Sequence, residues 1–139
     1  MPVIKTSDKK FSIKKTYVVY ASPEKVFEAL TDPGLIAAWG GGLSIVENKT
    51  GGKFEMFDGW VKGEVHNFKP GKELSYTWKP EEWKTKTPHS LVTYKFMPHP
   101  AGTDVILEHT GLPSQEETDK HSDGWMEFVF EPLNEFFTR

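Results

Sequence analysis

The chain has 139 residues, 17 Lys and Arg against 20 Asp and Glu, a formal charge of −3 and no cysteine. That length holds one ordinary domain and buries about 68% of the surface its unfolded chain exposes. The missing thiols exclude disulfides and thiolate chemistry, and the mildly acidic balance lacks the basic footprint of a general nucleic-acid binder. Mean hydropathy is −0.52, and no apolar run approaches the ~18 residues of a membrane helix, so no membrane insertion is expected. The start, MPVIKTSDKK, has no apolar stretch for a secretion signal, and the expected address is cytoplasmic. Aromatic residues make up 14%, with 10 Phe, 5 Trp and 4 Tyr. Such rings build cores and also line cavities for apolar ligands.

One domain is expected over residues 11–138, preceded by a polar segment over 1–10. Lys5, Lys9 and Lys10, with Lys14 and Lys15, form a basic cluster that reads as solvated surface. Phe11 to Ala21 reads as a strand: Phe11, Ile13, Tyr17, Val19 and Ala21 share one parity, with Lys15 the exception. Ser22-Pro23-Glu24 then opens a helix, with serine as cap, proline at the first position and glutamate at the positive end of the dipole. Pro33 stops it at Asp32. A second short helix is expected over Leu35 to Trp39, ended by Gly40-Gly41-Gly42.

Six strands follow in turn: Leu43 to Asn48, Lys53 to Asp58, Trp60 to Lys69, Glu73 to Lys79, His89 to Met97 and Thr103 to Thr110. Short strands at this spacing mean an antiparallel meander. Leu74, Tyr76 and Trp78 share a face, as do Val92, Tyr94 and Phe96, and Val105, Leu107 and His109. Pro80 to Pro88 is a charged loop. In the Trp60–Lys69 strand, either Val61 and Val65 face in and leave Lys62, Glu64 and His66, on the parity of Trp60 and Phe68, in solvent, or a polar strip faces the cavity; the first is favoured, because lone buried charges are costly. Ser114 followed by Glu117 is a capping box. After it Trp125, Phe128, Val129, Pro132, Leu133, Phe136 and Phe137 fall on one helical face. Pro132 should kink that helix. An antiparallel sheet with one apolar face needs a cover, and this helix is the only element long enough.

The order of elements, with Ala21-Ser22-Pro23-Glu24-Lys25-Val26-Phe27, Leu30, Thr31 and Trp39, Gly51-Gly52-Lys53-Phe54, Gly63-Glu64-Val65 leading to Leu74-Ser75-Tyr76-Thr77-Trp78, Gly102-Thr103 leading to Leu107-Glu108-His109-Thr110-Gly111, and Gly124-Trp125, resembles the START-like, or Bet v 1-like, helix-grip superfamily. Within it the chain is similar to the group related to the C-terminal domain of the activator of Hsp90 ATPase. The resemblance spans about residues 11 to 138. It implies an α+β helix-grip fold: a curved antiparallel sheet wrapped around a long C-terminal helix, two short helices after the first strand, and a cavity between sheet and long helix. It implies little about chemistry. The eukaryotic activator carries a separate N-terminal domain that binds the chaperone, and a chain of this length has no room for it.

Catalytic motifs are scarce. The glycine runs lack the partners of a phosphate-binding loop and read as turns. Asp119, His121 and Asp123 lie two apart, so a helix points them away from one another and they make no metal site. His99, between two prolines, reads as a solvated turn. His109 shares the inward parity of its strand. It is either a cavity residue or a core histidine held by a backbone carbonyl. The candidate cavity residues are Trp39, Met56, Tyr76, Trp78, Tyr94, Phe96, Leu107, His109, Trp125, Phe128 and Val129. A filled core with no cavity is the alternative.

Three functions stand in order. The first is a non-catalytic domain binding a small apolar or aromatic molecule, with no cofactor and no metal. The second is a protein-partner role beside a chaperone or in stress, which rests on family likeness alone. The third is an enzyme such as a cyclase or hydrolase, for which His109 is the one candidate acid–base group and has no visible partner.

Overall fold

The computed structural model describes residues 11–139, so Lys5, Lys9 and Lys10 of the expected basic cluster lie outside the described residues. Its first element is β1 (Ile13–Val19), which turns Ile13, Tyr17 and Val19 inward. Lys15, the exception to the parity, stands exposed and donates to Ser122 Oγ at 2.7 Å.

Two short helices follow, α1 (Pro23–Thr31) and α2 (Pro33–Trp39). The Ser22 hydroxyl caps the first, accepting from the Lys25 N–H. Asp32 ends α1 and caps α2, its Oδ1 accepting from the N–H groups of Gly34 at 2.8 Å and Leu35 at 3.1 Å. The second helix therefore begins at Pro33 rather than Leu35: Asp-Pro is a cap followed by a proline at the first helical position. Gly40 ends it at φ 113°, where a side chain would be strained.

The meander consists of β2 (Ile45–Val46), β3 (Lys53–Met56), β4 (Val61–Lys69), β5 (Glu73–Pro80), β6 (Ser90–His99) and β7 (Gly102–Thr110). With β1 these form one seven-stranded antiparallel sheet in the order β1-β7-β6-β5-β4-β3-β2. Only two residues of the expected Leu43–Asn48 strand pair, at the outer edge. The inward parities hold elsewhere: Val92 faces His109, Tyr94 faces Leu107 and Phe96 faces Val105 across β6 and β7, and all six are buried. Val61 and Val65 are buried while Lys62, Glu64 and His66 are exposed.

The C-terminal cover is a long helix in three parts: α3 (Gln115–Trp125), a π-turn (Met126–Phe130) and α4 (Glu131–Phe137). Ser114 Oγ accepts from the Glu117 N–H at 3.1 Å, which is the serine half of the capping box. Beside Pro132 the helix carries a π-turn, where the Glu131 N–H reaches back five residues to the Met126 carbonyl. Such a turn carries one residue more than an α-turn, and it relieves the site where Pro132 has no N–H to donate.

The extra residue changes which rings face the sheet. Trp125, Val129, Phe130 and Leu133 are buried, whereas Phe128 is 57% exposed. The expectation that Phe128 packs on the sheet is thus overturned: Phe130 takes the inward place and stacks on Tyr17 with ring centroids 4.0 Å apart. Phe136 and Phe137 are only partly buried. On α4, Asn134 Nδ2 donates to the Val18 carbonyl at 2.8 Å and Asn134 Oδ1 accepts from the Tyr20 N–H at 2.9 Å, tying the helix to the edge of β1.

Candidate functional site

Between the sheet and α3 lies a cleft of about 320 Å³, lined by Phe57, Trp60, Trp78, Glu82, Glu117, Lys120, His121, Gly124, Trp125, Phe128 and Val129. Four pieces of chain build it, one of them the loop after β5 that carries Glu82. Trp78 comes from the inward face of β5. Glu117, Lys120, His121, Gly124, Trp125 and Phe128 come from the C-terminal helix at i, i+3, i+4, i+7, i+8 and i+11, the spacing of one face. Phe57 and Trp60 come from the turn between β3 and β4.

That turn is strained. Phe57, Asp58 and Gly59 have φ of 54°, 60° and 84°, three successive left-handed residues of which two carry side chains. Such conformations persist only where the surroundings over-determine them. Here the Phe57 N–H donates to the Gly41 carbonyl at 2.8 Å and the Asp58 N–H to the Leu43 carbonyl at 3.0 Å. Asp58 Oδ1 in turn accepts from the Leu43 N–H at 2.8 Å. The glycine run after α2 is therefore a dock for this turn, which sets Phe57 against Trp60, edge to face at 6.2 Å.

Two histidines back the aromatic rings, His121 at the cleft and His109 in the core behind it, and hydrogen bonding assigns the proton on each. The Trp78 indole N–H donates to His121 Nε2 at 3.1 Å, and His121 Nδ1 lies 2.9 Å from the Glu117 carbonyl oxygen. An indole nitrogen only donates, so Nε2 is bare and Nδ1 carries the proton. His109 is the mirror case. Its Nδ1 accepts from the Trp125 indole N–H at 3.1 Å, so Nε2–H donates to Ser90 Oγ at 2.8 Å, and that hydroxyl donates to the Trp78 carbonyl at 2.7 Å. Burial pushes His109 well below its ordinary range, with His121 adding to the shift. Burial also lowers His121, against the upward pull of the Glu117 carbonyl and of the Glu117 and Glu82 carboxylates. Both rings are neutral at neutral pH.

The rim is polar. Glu82 Oε1 accepts from the Trp60 indole N–H at 2.7 Å. Glu117 Oε1 accepts from the Trp83 indole N–H at 2.8 Å and Glu117 Oε2 from Lys120 Nζ at 3.3 Å. Burial would raise the Glu117 carboxyl, but these two hydrogen bonds and the charge of Lys120 outweigh it and the group is lowered. Glu82 and Trp83 both belong to the charged loop after β5, so these bonds strap that loop to the β3–β4 turn and to α3.

Of the residues expected to line a cavity, Trp78, Trp125, Phe128 and Val129 border this cleft. Trp39, Met56, Tyr76, Tyr94, Phe96, Leu107 and His109 are packed in the core behind it. Trp39 donates its indole N–H to the Ala29 carbonyl at 2.7 Å, and the Tyr76 and Tyr94 hydroxyls bond each other at 2.7 Å. His109 is a fully buried core histidine held by Ser90 and Trp125 rather than by a backbone carbonyl.

The family described as Activator of Hsp90 ATPase homolog 1-like protein matches residues 20–138. The chain belongs to this family. Among curated relatives, the mouse Activator of 90 kDa heat shock protein ATPase homolog 1 is 29% identical over 128 residues, 92% of this chain and 37% of that protein. The chain thus spans little more than a third of the length of that relative and of its human counterpart. Among solved structures, a Plasmodium falciparum HSP90 activator, PFC0360w, superimposes with a TM-score of 0.82 at 26% identity, covering 92% of this chain and 96% of that one. The Mesorhizobium loti protein MLL2253 gives 0.79 at 30% identity, covering 92% and 97%. The fold is the α+β helix-grip fold that the sequence resemblance implied.

In this family member, sequence reasoning missed Phe57, Trp60, Glu82, Glu117, Lys120, His121 and Gly124 as cleft residues. Trp60 shares the parity of Lys62, Glu64 and His66 in the sequence, but β4 begins at Val61, so the strand's alternation does not reach it. Asp119 and Asp123 are exposed while His121 turns inward. Its i+4 spacing to the buried Trp125 was a legible signal.

Proposed function

We propose that this chain is a non-catalytic binding domain that works beside a chaperone of the Hsp90 type. The observation that carries this reading is the superposition on the Plasmodium falciparum HSP90 activator, which covers nearly the whole of both chains. The reading places the partner role ahead of the small-molecule role that composition favours. The absence of catalysis is supported by His109: its two ring nitrogens are engaged, it is sealed in the core, and no bound molecule would reach its proton. The test adds the purified chain to Hsp90 and follows ATP turnover, with the background measured under an inhibitor of the Hsp90 nucleotide site. A dose-dependent rise together with calorimetric binding is expected. Neither binding nor stimulation at tens of micromolar would sink it.

A second reading is favoured by the cleft itself. Five Phe and Trp rings dominate its walls and its volume of about 320 Å³ suits a small apolar molecule. Trp60, Trp78 and Trp125 would report filling through their emission.

A further inference from the structure

The cleft has a feature that bears on which molecules would enter it. Each indole N–H on its wall is already donated inside the protein: Trp60 to Glu82, Trp78 to His121 and Trp125 to His109. His121 spends its own proton on the Glu117 carbonyl. A ligand carbonyl, phosphate or carboxylate therefore meets no free indole N–H, and displacing that of Trp78 or Trp125 would leave a buried histidine nitrogen unpaired, which is disfavoured. The indoles therefore offer their π-systems rather than their donors, and the rings are set at angles. Trp60 stands edge to face with both Phe57 and Trp78, at 6.2 Å in each case.

The charge at the mouth has a definite sign. The cleft is bordered by two carboxylates, Glu82 and Glu117, and one ammonium, Lys120, a net of −1. One N–H of the exposed ammonium reaches Glu117 Oε2 at 3.3 Å. Hydrogen bonding and charge from Glu117, with the charges of Glu116 and Glu82, hold Lys120 protonated above its ordinary range. An arriving anion meets two carboxylates against a single ammonium that is already paired with one of them. An arriving cation meets carboxylates and π-faces, both of which attract it.

We propose that the cleft selects small organic cations, molecules with a flat apolar body for the Trp78–Trp125 floor and an ammonium head that sits at the Trp60 ring beside the Glu82 carboxylate on its N–H edge. This rests on reading the cleft as a ligand site and adds the sign of the ligand. The body would displace water from apolar walls. The head stays at the rim, where solvent still reaches it and no charge needs to be buried unpaired.

The experiment uses three probes on one ring system: 1-naphthylmethylammonium, 1-naphthylmethanol and 1-naphthylacetate. Binding to the full chain is followed by the indole N–H resonances of Trp60, Trp78 and Trp125 at low salt. The cation is expected to bind about 5-fold tighter than the alcohol, the scale of one exposed cation–π contact, and the acetate more weakly than the alcohol. Raising the salt should erode the cation's advantage. Glu82→Gln keeps an oxygen for the Trp60 N–H and removes the charge, so it should shrink the ratio of cation to alcohol affinity toward one. Equal affinities, or preference for the acetate, would overturn the charge selection and leave the cleft as a ligand site. No shift of these resonances with any probe would overturn both.

Discussion

The Trp125 indole N–H points at the bare Nδ1 of His109 across 3.1 Å, so the last helix is joined to β7 by a donor that cannot accept and an acceptor that must stay unprotonated. A proton on His109 Nδ1 would set two N–H groups head to head in the core.

Stability should therefore fall on mild acidification. His109 is held well below the ordinary 6.5 of an unfolded histidine, chiefly by burial. Below that pH the unfolded chain takes up a proton and the folded chain does not, so the stabilisation is complete above about 6.5 and is lost as pH falls from there toward the lower folded value. His121, also lowered, adds in the same direction. The slope approaches about 1.4 kcal/mol per pH unit for each histidine. Urea melts between pH 7 and 5 check this, and His109→Gln should remove one such increment from the slope. An unchanged slope would mean that His109 titrates normally in the folded chain.

Trp125→Ala should lower stability by ~3–5 kcal/mol, the range for a large ring removed from a core. Trp125→Phe keeps most of the packing and leaves His109 Nδ1 without its donor, a loss of about 1–3 kcal/mol. Chemical denaturation separates the two. A loss below ~0.5 kcal/mol for the alanine variant, typical of a surface site, would contradict the helix packing.

Phe128 and Phe130 make a paired test of the π-turn. Phe130→Ala should cost about 3–5 kcal/mol, and Phe128→Ala should stay within about ±0.5 kcal/mol. The reverse order would mean that residues 126–130 continue as an ordinary α-helix.

Gly124→Ala should raise the melting temperature. A Cβ there would meet only Phe128 Cδ2, at 3.7 Å, an ordinary contact, and alanine gains roughly 0.8–1 kcal/mol of helix propensity over glycine. The same methyl group protrudes into the cleft, so probe binding should weaken as stability rises. A destabilised variant would show that the helix at Gly124 is more tightly packed than described.

The sheet was legible because strand period is two and each inward run is long enough to show it: Leu74, Tyr76 and Trp78 leave no doubt about which side of β5 is apolar. The site was less legible because its residues come from where periodicity breaks. Phe57 sits in a left-handed turn, Glu82 and Trp83 in a loop that read as merely charged, and Phe128 in a turn with one residue more than the α-helical count. A tryptophan alone in a charged loop, as at Trp83, was the visible hint that the loop folds back on something. The capping box misled in a smaller way: Ser114 does cap α3, but the Glu117 carboxylate turns to Trp83 and Lys120.

The side-chain amide of Asn134 has the donor and acceptor of a peptide group, and it occupies the Val18 carbonyl and the Tyr20 N–H as another strand's backbone would. A sheet margin left bare is a template for a foreign strand. Asn134 therefore acts as a counterfeit peptide unit that ends the sheet at β1. With Asn134→Leu, the fold could survive while two chains acquire the means to zip together along β1.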